Sequence, residues 1–452
     1  MQSLIQIQRY AFYNSSIENI TIPSNVTFVG RNAFYNAKTL SEVTFDSNSK
    51  LSTIEREAFA KTTALETITL PKCLTSLGSS AFEQSGLEQV LFEEGINLKE
   101  ISEKAFLGTN LTSISIPASV EIINHNAFRD CINLTSVEFN NTNSLTIMTY
   151  VFYNTGLTEV DINKDITYIG EYSFNGLKDL NEFTVSSDNK YYQSIDGVLF
   201  SKDGKKLISF PGNITGSYTI PNFVEIIGFG AFENSKLEEV NFEANINLLT
   251  IGYRAFYNST IEQISIPSSV ISIDYYAFAM CDNLIKVEFA EDNNLLGIYE
   301  GAFYLDRNLS DITIPDSIVE ISDFAFYGCE SLNSLPVSSS SLLLGIYDYA
   351  FAYTGIEKLN VPTTIIEIGT YAFEGARIKE LYISNENKDE LLIGIGAFKD
   401  CNEVESVTIP FTGASYLDDK IVWFSYIFGA GSVDASFNYI PESVKRITIT
   451  KS

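Results

Sequence analysis

Histidine is nearly absent from this chain: His125 is the only one in 452 residues. It falls in a variable slot and reads as a solvated loop residue, so no Ser-His-Asp or His-metal arrangement can be assembled around it. Basic residues are scarce too, 29 against 57 acidic ones, for a net charge of −28. Nucleic acid and anionic lipid both need basic surface, so neither is an expected partner. No run approaches the roughly 18 uninterrupted apolar residues of a membrane span, and no membrane insertion is expected within this chain. The opening Met1-Gln-Ser-Leu-Ile-Gln lacks the basic and apolar regions of a secretory signal. Cysteine, five in all, is too sparse and too widely spaced for a disulfide framework.

What is present is repetition. The dipeptide Ala-Phe returns at Ala33-Phe34, Ala58-Phe59, Ala81-Phe82, Ala105-Phe106 and Ala127-Phe128, and again from Ala231-Phe232 through Phe256, Phe278, Phe303, Phe326, Phe351, Phe373 and Phe398. With Phe12, Phe152 and Phe174 the column takes sixteen of the 32 phenylalanines, so half of this residue type holds one structural position. Neighbouring members lie 22 to 25 residues apart, except for one gap of 58 between Phe174 and Phe232. A fixed period in the twenties is the signature of a solenoid, which lengthens along one axis without needing a second core.

Each repeat has two parts. A run such as Leu111-Thr-Ser-Ile-Ser-Ile116 alternates apolar with polar residues and reads as a half-buried strand. A return segment follows, as in Val270-Ile-Ser-Ile273 leading to Ala277-Phe278. Asn or Gly stands two residues after the Phe at Asn36, Gly108, Asn154, Asn258 and Gly328, which places a left-handed turn there. Odd rungs end in Pro23, Pro71, Pro117, Pro221, Pro267, Pro315, Pro362 and Pro410, and even rungs in an apolar residue and a longer acidic loop. Proline cannot donate to a ladder, so it marks where a strand stops pairing, and the true unit is a pair of rungs. Cys131, Cys281, Cys329 and Cys401 all sit three residues after a column Phe, where Ser15, Ala37, Thr62 and Thr155 stand elsewhere. They read as small buried hydrophobes.

The expected fold is a β-dominated, α/β-type repeat solenoid with a parallel sheet, a horseshoe or rod whose rungs stack about 4.8 Å apart. Residues 1–185 and 217–410 are assigned to repeats. Residues 186–216 are assigned to an inserted β-hairpin that projects from the solenoid, because Val198–Phe200 and Leu207–Phe210 flank the turn signal Asp203-Gly204. Residues 411–452, with the only tryptophan, Trp423, are assigned to a variant closing repeat that ends in a strand up to Ile449. Both ends look cut, so the chain is expected to be a piece of a longer polypeptide.

The pattern Leu-x-x-Ile-x-Ile-Pro-x-x-Val-x-x-Ile-Gly-x-x-Ala-Phe-x-x-Cys is similar to the BspA-like leucine-rich repeats. Ile266-Pro-Ser-Ser-Val270 through Ala277-Phe278 and Cys281 follows it nearly position for position. The insert at Asp196-Gly-Val-Leu-Phe and the segment Tyr426-Ile-Phe-Gly-Ala also resemble elements of such arrays. What the resemblance implies is a horseshoe-like solenoid on a secreted or surface-anchored microbial protein, often involved in adhesion, hence an extracellular or cell-surface location.

Little in the sequence suggests catalysis, and no cofactor or metal is expected. Gly394-Ile-Gly396 and Gly228-Phe-Gly230 are repeat fragments rather than phosphate loops. Asp418-Asp419 and Glu291-Asp292 read as solvated loops. Nine Asn-x-Ser/Thr triplets occur, several of them in the repeat's own Asn-Leu-Thr, and composition explains them without glycosylation. Two faces remain as candidates for a protein or glycan ligand. The outward strand positions (Glu42, Thr44, Ser113, Ser115, Ser136, Glu138, Glu159, Asp161, Glu239 and Asn241) are polar and poor in hot-spot residue types. The other face is richer: tyrosines stand two before the column Phe (Tyr10, Tyr150, Tyr172, Tyr276, Tyr349, Tyr371) or one after it (Tyr13, Tyr35, Tyr153, Tyr257, Tyr304, Tyr327), twelve of 25 in all. Stacking would line them into bands with apolar bodies and wet tips. The proposed stripe is Tyr150, Tyr153, Tyr172, Tyr257, Tyr276, Tyr304, Tyr327, Tyr349 and Tyr371. A binding module and a structural stalk that displays another domain both fit these features.

Overall fold

The computed structural model describes residues 4–384, 391–410, 424–431 and 439–450. They fall in two units, Met1–Ile214 and Thr215–Ser452. Each is a β-solenoid, and the described residues include no α-helix, only a 3-10 turn at Phe424–Phe428. Trp423 and the Asp418-Asp419 pair lie outside the described residues.

Every rung has three sides. The first is a strand of about four residues. Along Ser113–Ile116 the side chains alternate exposed and buried, as the Ser-Ile-Ser-Ile pattern requires. In the first unit these strands pair two by two, parallel and in register: Asn19–Ile22 with Glu42–Phe45, Ser113–Ile116 with Ser136–Phe139, Glu159–Ile162 with Glu182–Val185. The paired-rung unit read from the prolines is therefore visible in the hydrogen bonding. In the second unit five such strands, from Thr215–Ile220 to Asp311–Ile312, form one sheet, and four more from Lys358–Val361 to Arg446–Ile449 form another. Between them Pro336 interrupts the rung, which keeps a single bridge, Ser334 to Lys358.

The second side is a short strand, such as Ser272–Ile273, paired in parallel with Thr250–Ile251 of the preceding rung. The third is the turn run that carries the Phe. There the backbone N–H groups alternate in destination. Ala11 and Tyr13 donate three residues back, to Gln8 and Tyr10, whereas Tyr10, Phe12 and Asn14 donate to Arg31, Ala33 and Tyr35 on the next rung. The residue two after the Phe is left-handed, as expected, at Asn36, Gly108, Asn154, Asn258 and Gly328. So is the residue two before it, whatever its type: Asn32, Glu57, Tyr150, Tyr276 and Tyr371 all have φ between 55° and 61°.

The column phenylalanines stack. In the first unit Phe12, Phe34, Phe59, Phe82, Phe106, Phe128, Phe152 and Phe174 follow one another at 4.9 to 5.5 Å between centroids, with planes within 11°. In the second, Phe232 through Phe398 follow one another at 4.7 to 5.5 Å, with planes within 14°. This is the offset-parallel geometry that aromatic quadrupoles favour. Around it pack the strand Ile, Leu and Val residues and the buried thiols.

The insert departs from expectation in two ways. It has three antiparallel strands, Tyr192–Ile195, Val198–Ser201 and Lys206–Ser209, with a turn at Asp196-Gly197 preceding the one at Asp203-Gly204. Nor does it project. Val198, Leu199, Phe200 and Leu207 are fully buried, Ser209 Oγ donates to the Phe174 carbonyl at 2.9 Å, and Tyr192 Oη accepts the Ile169 N–H at 2.7 Å. The apolar runs on its second and third strands would be left in water by a projecting hairpin, so it folds back onto the last rungs of its own unit. In the second unit Gly396 and Phe398 donate to the carbonyls of Tyr426 and Ile427, so the turn at Phe424–Phe428 continues the ladder.

Candidate functional site

The turn run places its side chains at fixed intervals on the outer surface. A tyrosine two residues before the Phe adopts a left-handed backbone, a conformation that costs a non-glycine residue about 1–2 kcal/mol. Ring contacts with the neighbouring rungs offset that cost. The Tyr276 ring lies where a Cβ on Gly301 of the next rung would stand, 2.3 Å from the nearest ring atom. The Tyr371 ring covers Gly396 in the same way, at 2.5 Å. Glycine in the following rung is the space into which the ring leans.

Most of the proposed stripe gathers in two clusters, besides a smaller one of Tyr10, Tyr13 and Tyr35. In the first unit Tyr150 stacks on Tyr172 at 4.8 Å and meets Tyr153 edge-on at 5.4 Å. The Arg129 guanidinium lies 5.4 and 5.3 Å from the Tyr150 and Tyr153 rings. Tyr172 is buried; the other two are half-exposed. In the second unit a longer run forms. Tyr276 meets Tyr304 at 6.0 Å, Tyr304 stacks on Tyr327 at 5.1 Å, and Tyr349 meets Tyr371 at 5.1 Å. Phe324 joins the two parts, stacking on Tyr349 at 5.0 Å and contacting Tyr304 and Tyr327. The Lys399 ammonium lies 5.1 Å from the Tyr371 ring and pairs with Glu374 at 2.6 Å. Tyr257 has a different environment: Arg254 covers its ring at 3.6 Å, and its hydroxyl donates to the Met280 thioether at 2.8 Å.

Five rungs of the second unit thus present half-exposed rings side by side. The phenols of Tyr276, Tyr327 and Tyr349 hold their protons beyond the ordinary range. Burial raises Tyr276, and its hydroxyl donates to Glu300 at 2.8 Å, which holds the proton more firmly still. Burial likewise raises Tyr327 and Tyr349. At neutral pH the band offers aromatic faces and hydroxyl donors rather than phenolate charge.

Phe324 and Tyr353 also belong to the band, although one is not a tyrosine and the other stands in neither expected slot. Phe324 occupies the same position as Tyr276, and counting by slot finds it. Tyr353 stands two after its Phe and reaches Tyr327 at 5.3 Å. The outward strand residues Glu42, Thr44, Ser113 and Ser115 are exposed, as read from the alternation. His125 is half-buried, and its carbonyl accepts the Lys104 N–H. Among the described residues no group of three or more His, Cys, Asp or Glu is placed to hold a metal, and no helix is long and apolar enough to cross a membrane.

The repeat geometry is matched by the chain's family relationship. Residues 5–98, 99–216, 209–304 and 296–421 match the profile of the BspA type leucine rich repeat region. The chain belongs to the BspA-type leucine-rich repeat family. Among solved structures, this BspA-type chain is similar to a leucine-rich repeat protein from Eubacterium ventriosum, at 23% identity and a TM-score of 0.59, covering 77% of this chain and 86% of that one. It is also similar to a leucine rich cell surface protein from Faecalibacterium prausnitzii, at 22% identity and a TM-score of 0.51, covering 97% and 86%. At these identities the likeness is one of fold. No curated protein matches the chain.

Proposed function

We propose that this chain is a non-enzymatic binding module of a microbial surface or secreted protein, engaging a protein or glycan through its tyrosine band. The observation that carries the reading is the run from Tyr276 to Tyr371 with Phe324, in which half-exposed rings touch one another rung after rung. Tyrosine binds with little entropy loss, through an apolar face and a polar tip, and pre-set neighbours lower the cost further. An extracellular or cell-surface location accords with the Faecalibacterium protein, itself described as a cell surface protein.

The test is a screen of the chain against host-matrix proteins and cell-wall glycans, followed by Tyr304→Ala, Tyr327→Ala and Tyr349→Ala. The expected result is at least one ligand whose affinity falls about tenfold or more, the range of an aromatic hot spot, with thermal unfolding little changed. A second reading, a stalk that displays another domain, draws on the rung-to-rung bonds of the Phe column. Its signature is a blank screen. A ligand that every band variant binds normally removes the tyrosine reading.

A further inference from the structure

The short-strand side of the second unit carries a chemistry that the same side of the first unit lacks. The residue just before each short strand is hydrogen-bonded through its backbone to its counterpart one rung earlier. Val319 N–H donates to Leu296 at 2.9 Å, Leu344 to Val319 at 2.8 Å and Ile366 to Leu344 at 2.8 Å, and on the preceding rungs Ile271 donates to Leu249 at 2.9 Å. Leu296, Val319, Leu344 and Ile366 therefore stand in file, about 4.8 Å apart. They are not core residues: Leu296 is 66% exposed, Ile271 55%, Leu344 45%, and Leu249 and Ile366 41% each. Single exposed aliphatics are ordinary, but a file of them on consecutive rungs is a contiguous apolar patch.

In the first unit the same ladder position is polar at Thr27, Ser52, Thr75, Lys99 and Glu121, with Ile5 the aliphatic exception. Ser52 donates to Thr27, Thr75 to Ser52 and Glu121 to Lys99, all at 2.8 to 3.0 Å. One backbone geometry thus carries Thr, Ser, Lys and Glu on those rungs, and Glu225 in the second unit, as readily as Leu, Ile and Val, so the fold does not require the aliphatics.

Charge separates the two faces as well. Around the file of four, the stretches 295–300, 318–323, 343–348 and 365–370 contain Glu300, Glu320, Asp323, Asp348 and Glu367 and neither lysine nor arginine. None of these five carboxylates forms an ion pair among the described residues. The corresponding stretches of the first unit carry Arg31, Arg56 and Lys99 among Glu55, Glu100, Glu103 and Glu121, so their charges nearly balance. A second copy of this face would bring like charges together over the apolar file. A cationic partner removes both penalties, burying the aliphatics and neutralising the rim.

We infer that this face docks a cationic amphipathic segment of a partner protein, one that presents aliphatic and Lys or Arg side chains together. It lies on a different side of the rung from the tyrosine band, and its test does not depend on that reading.

The probes are two labelled peptides of equal charge, an alternating Leu-Lys and an alternating Ser-Lys sequence, titrated with the full chain and read by fluorescence anisotropy. The expected result is Leu-Lys binding about tenfold tighter than Ser-Lys, a difference of about 1.4 kcal/mol. Leu296→Thr with Leu344→Thr removes that advantage and leaves Ser-Lys binding unchanged, whereas Glu320→Gln with Glu367→Gln weakens both peptides. These side chains reach solvent, and unchanged melting confirms that the variants fold. Thr75→Ser, at the polar position of the first unit, and Tyr304→Ala alter neither peptide's binding. Equal binding of the two peptides, or a Leu-Lys preference that survives the double Thr variant, overturns the proposal. Self-association in sedimentation that the double Thr variant abolishes overturns it too, by assigning the face to a second copy.

Discussion

Asp306 accepts the backbone N–H of Cys281, one rung earlier, through Oδ1 at 2.8 Å, while its Oδ2 is buried without a hydrogen-bond partner. The slot is the one three residues after the column Phe. On eight other rungs it holds a group that donates to a Phe carbonyl: Thr62, Thr109, Thr155 and Thr354 to their own, Cys131, Cys281, Cys329 and Cys401 to that of an earlier rung. A carboxylate in this place has no cation to meet.

Burial pushes the Asp306 carboxyl well above the usual range, and the nearby Asp282 charge adds to this against the opposing Cys281 N–H. The groups facing it along the slot are the Cys281 and Cys329 thiols, themselves raised by burial and by the Asp306 charge. A folded-state pKa above the unfolded one means that stability is full below about pH 4 and is lost as pH rises toward the folded value. Asp306→Asn keeps an acceptor for Cys281 and cannot ionise. Its melting temperature should match the parent's near pH 4 and exceed it increasingly up to pH 9. The gain should reach about 1–3 kcal/mol, the cost of an unsatisfied buried polar group. Parallel pH profiles would refute this.

Phe256 is fully buried between Phe232 at 4.7 Å and Phe278 at 5.1 Å. Phe256→Ala should lose about 3–5 kcal/mol, the range for truncating a core aromatic, in urea unfolding. Phe12 is only half-buried, and Phe12→Ala should cost clearly less. Equal losses would mean that the stack does not hold the rungs together.

Of the five cysteines only Cys73 is exposed. Burial raises the others, Cys131 to about 11, although Thr109 and the neighbouring backbone partly oppose it. Since the thiolate is the reactive form, a thiol reagent at pH 8 should modify Cys73 alone in the native chain and all five in denaturant. Fast native labelling of Cys281 or Cys329 would contradict the buried reading.

Tyr192 fixes the insert by accepting the Ile169 N–H, and burial pushes its phenol up to about 12. The raised value places its contribution below pH 10, to be lost as pH climbs through about 12. Tyr192→Phe leaves that N–H without its acceptor. Exchange at Ile169 and along Tyr192–Ile195 should quicken by about ten- to a hundredfold, equivalent to about 1–3 kcal/mol of local stability. Unchanged protection there would show that the insert is held by its apolar strands alone.

Much of this architecture is written in local periodicity. The Phe column, the alternation within Ser113–Ile116, the left-handed Asn36 and Gly108 and the turn at Asp203-Gly204 each depend on backbone preferences within a few residues. The chain itself therefore determines that it coils, where it turns and which side chains face inward. Tertiary structure alone decided the rest. It put Tyr150 and Tyr276 into left-handed backbone against their own preference, admitted Phe324 to a tyrosine band, laid the insert over its rungs and aligned Leu296 with Val319 and Leu344. In each case the deciding neighbour is a full coil away in sequence yet adjacent in space. A residue's local pattern specifies its own geometry, and stacking then selects its companions.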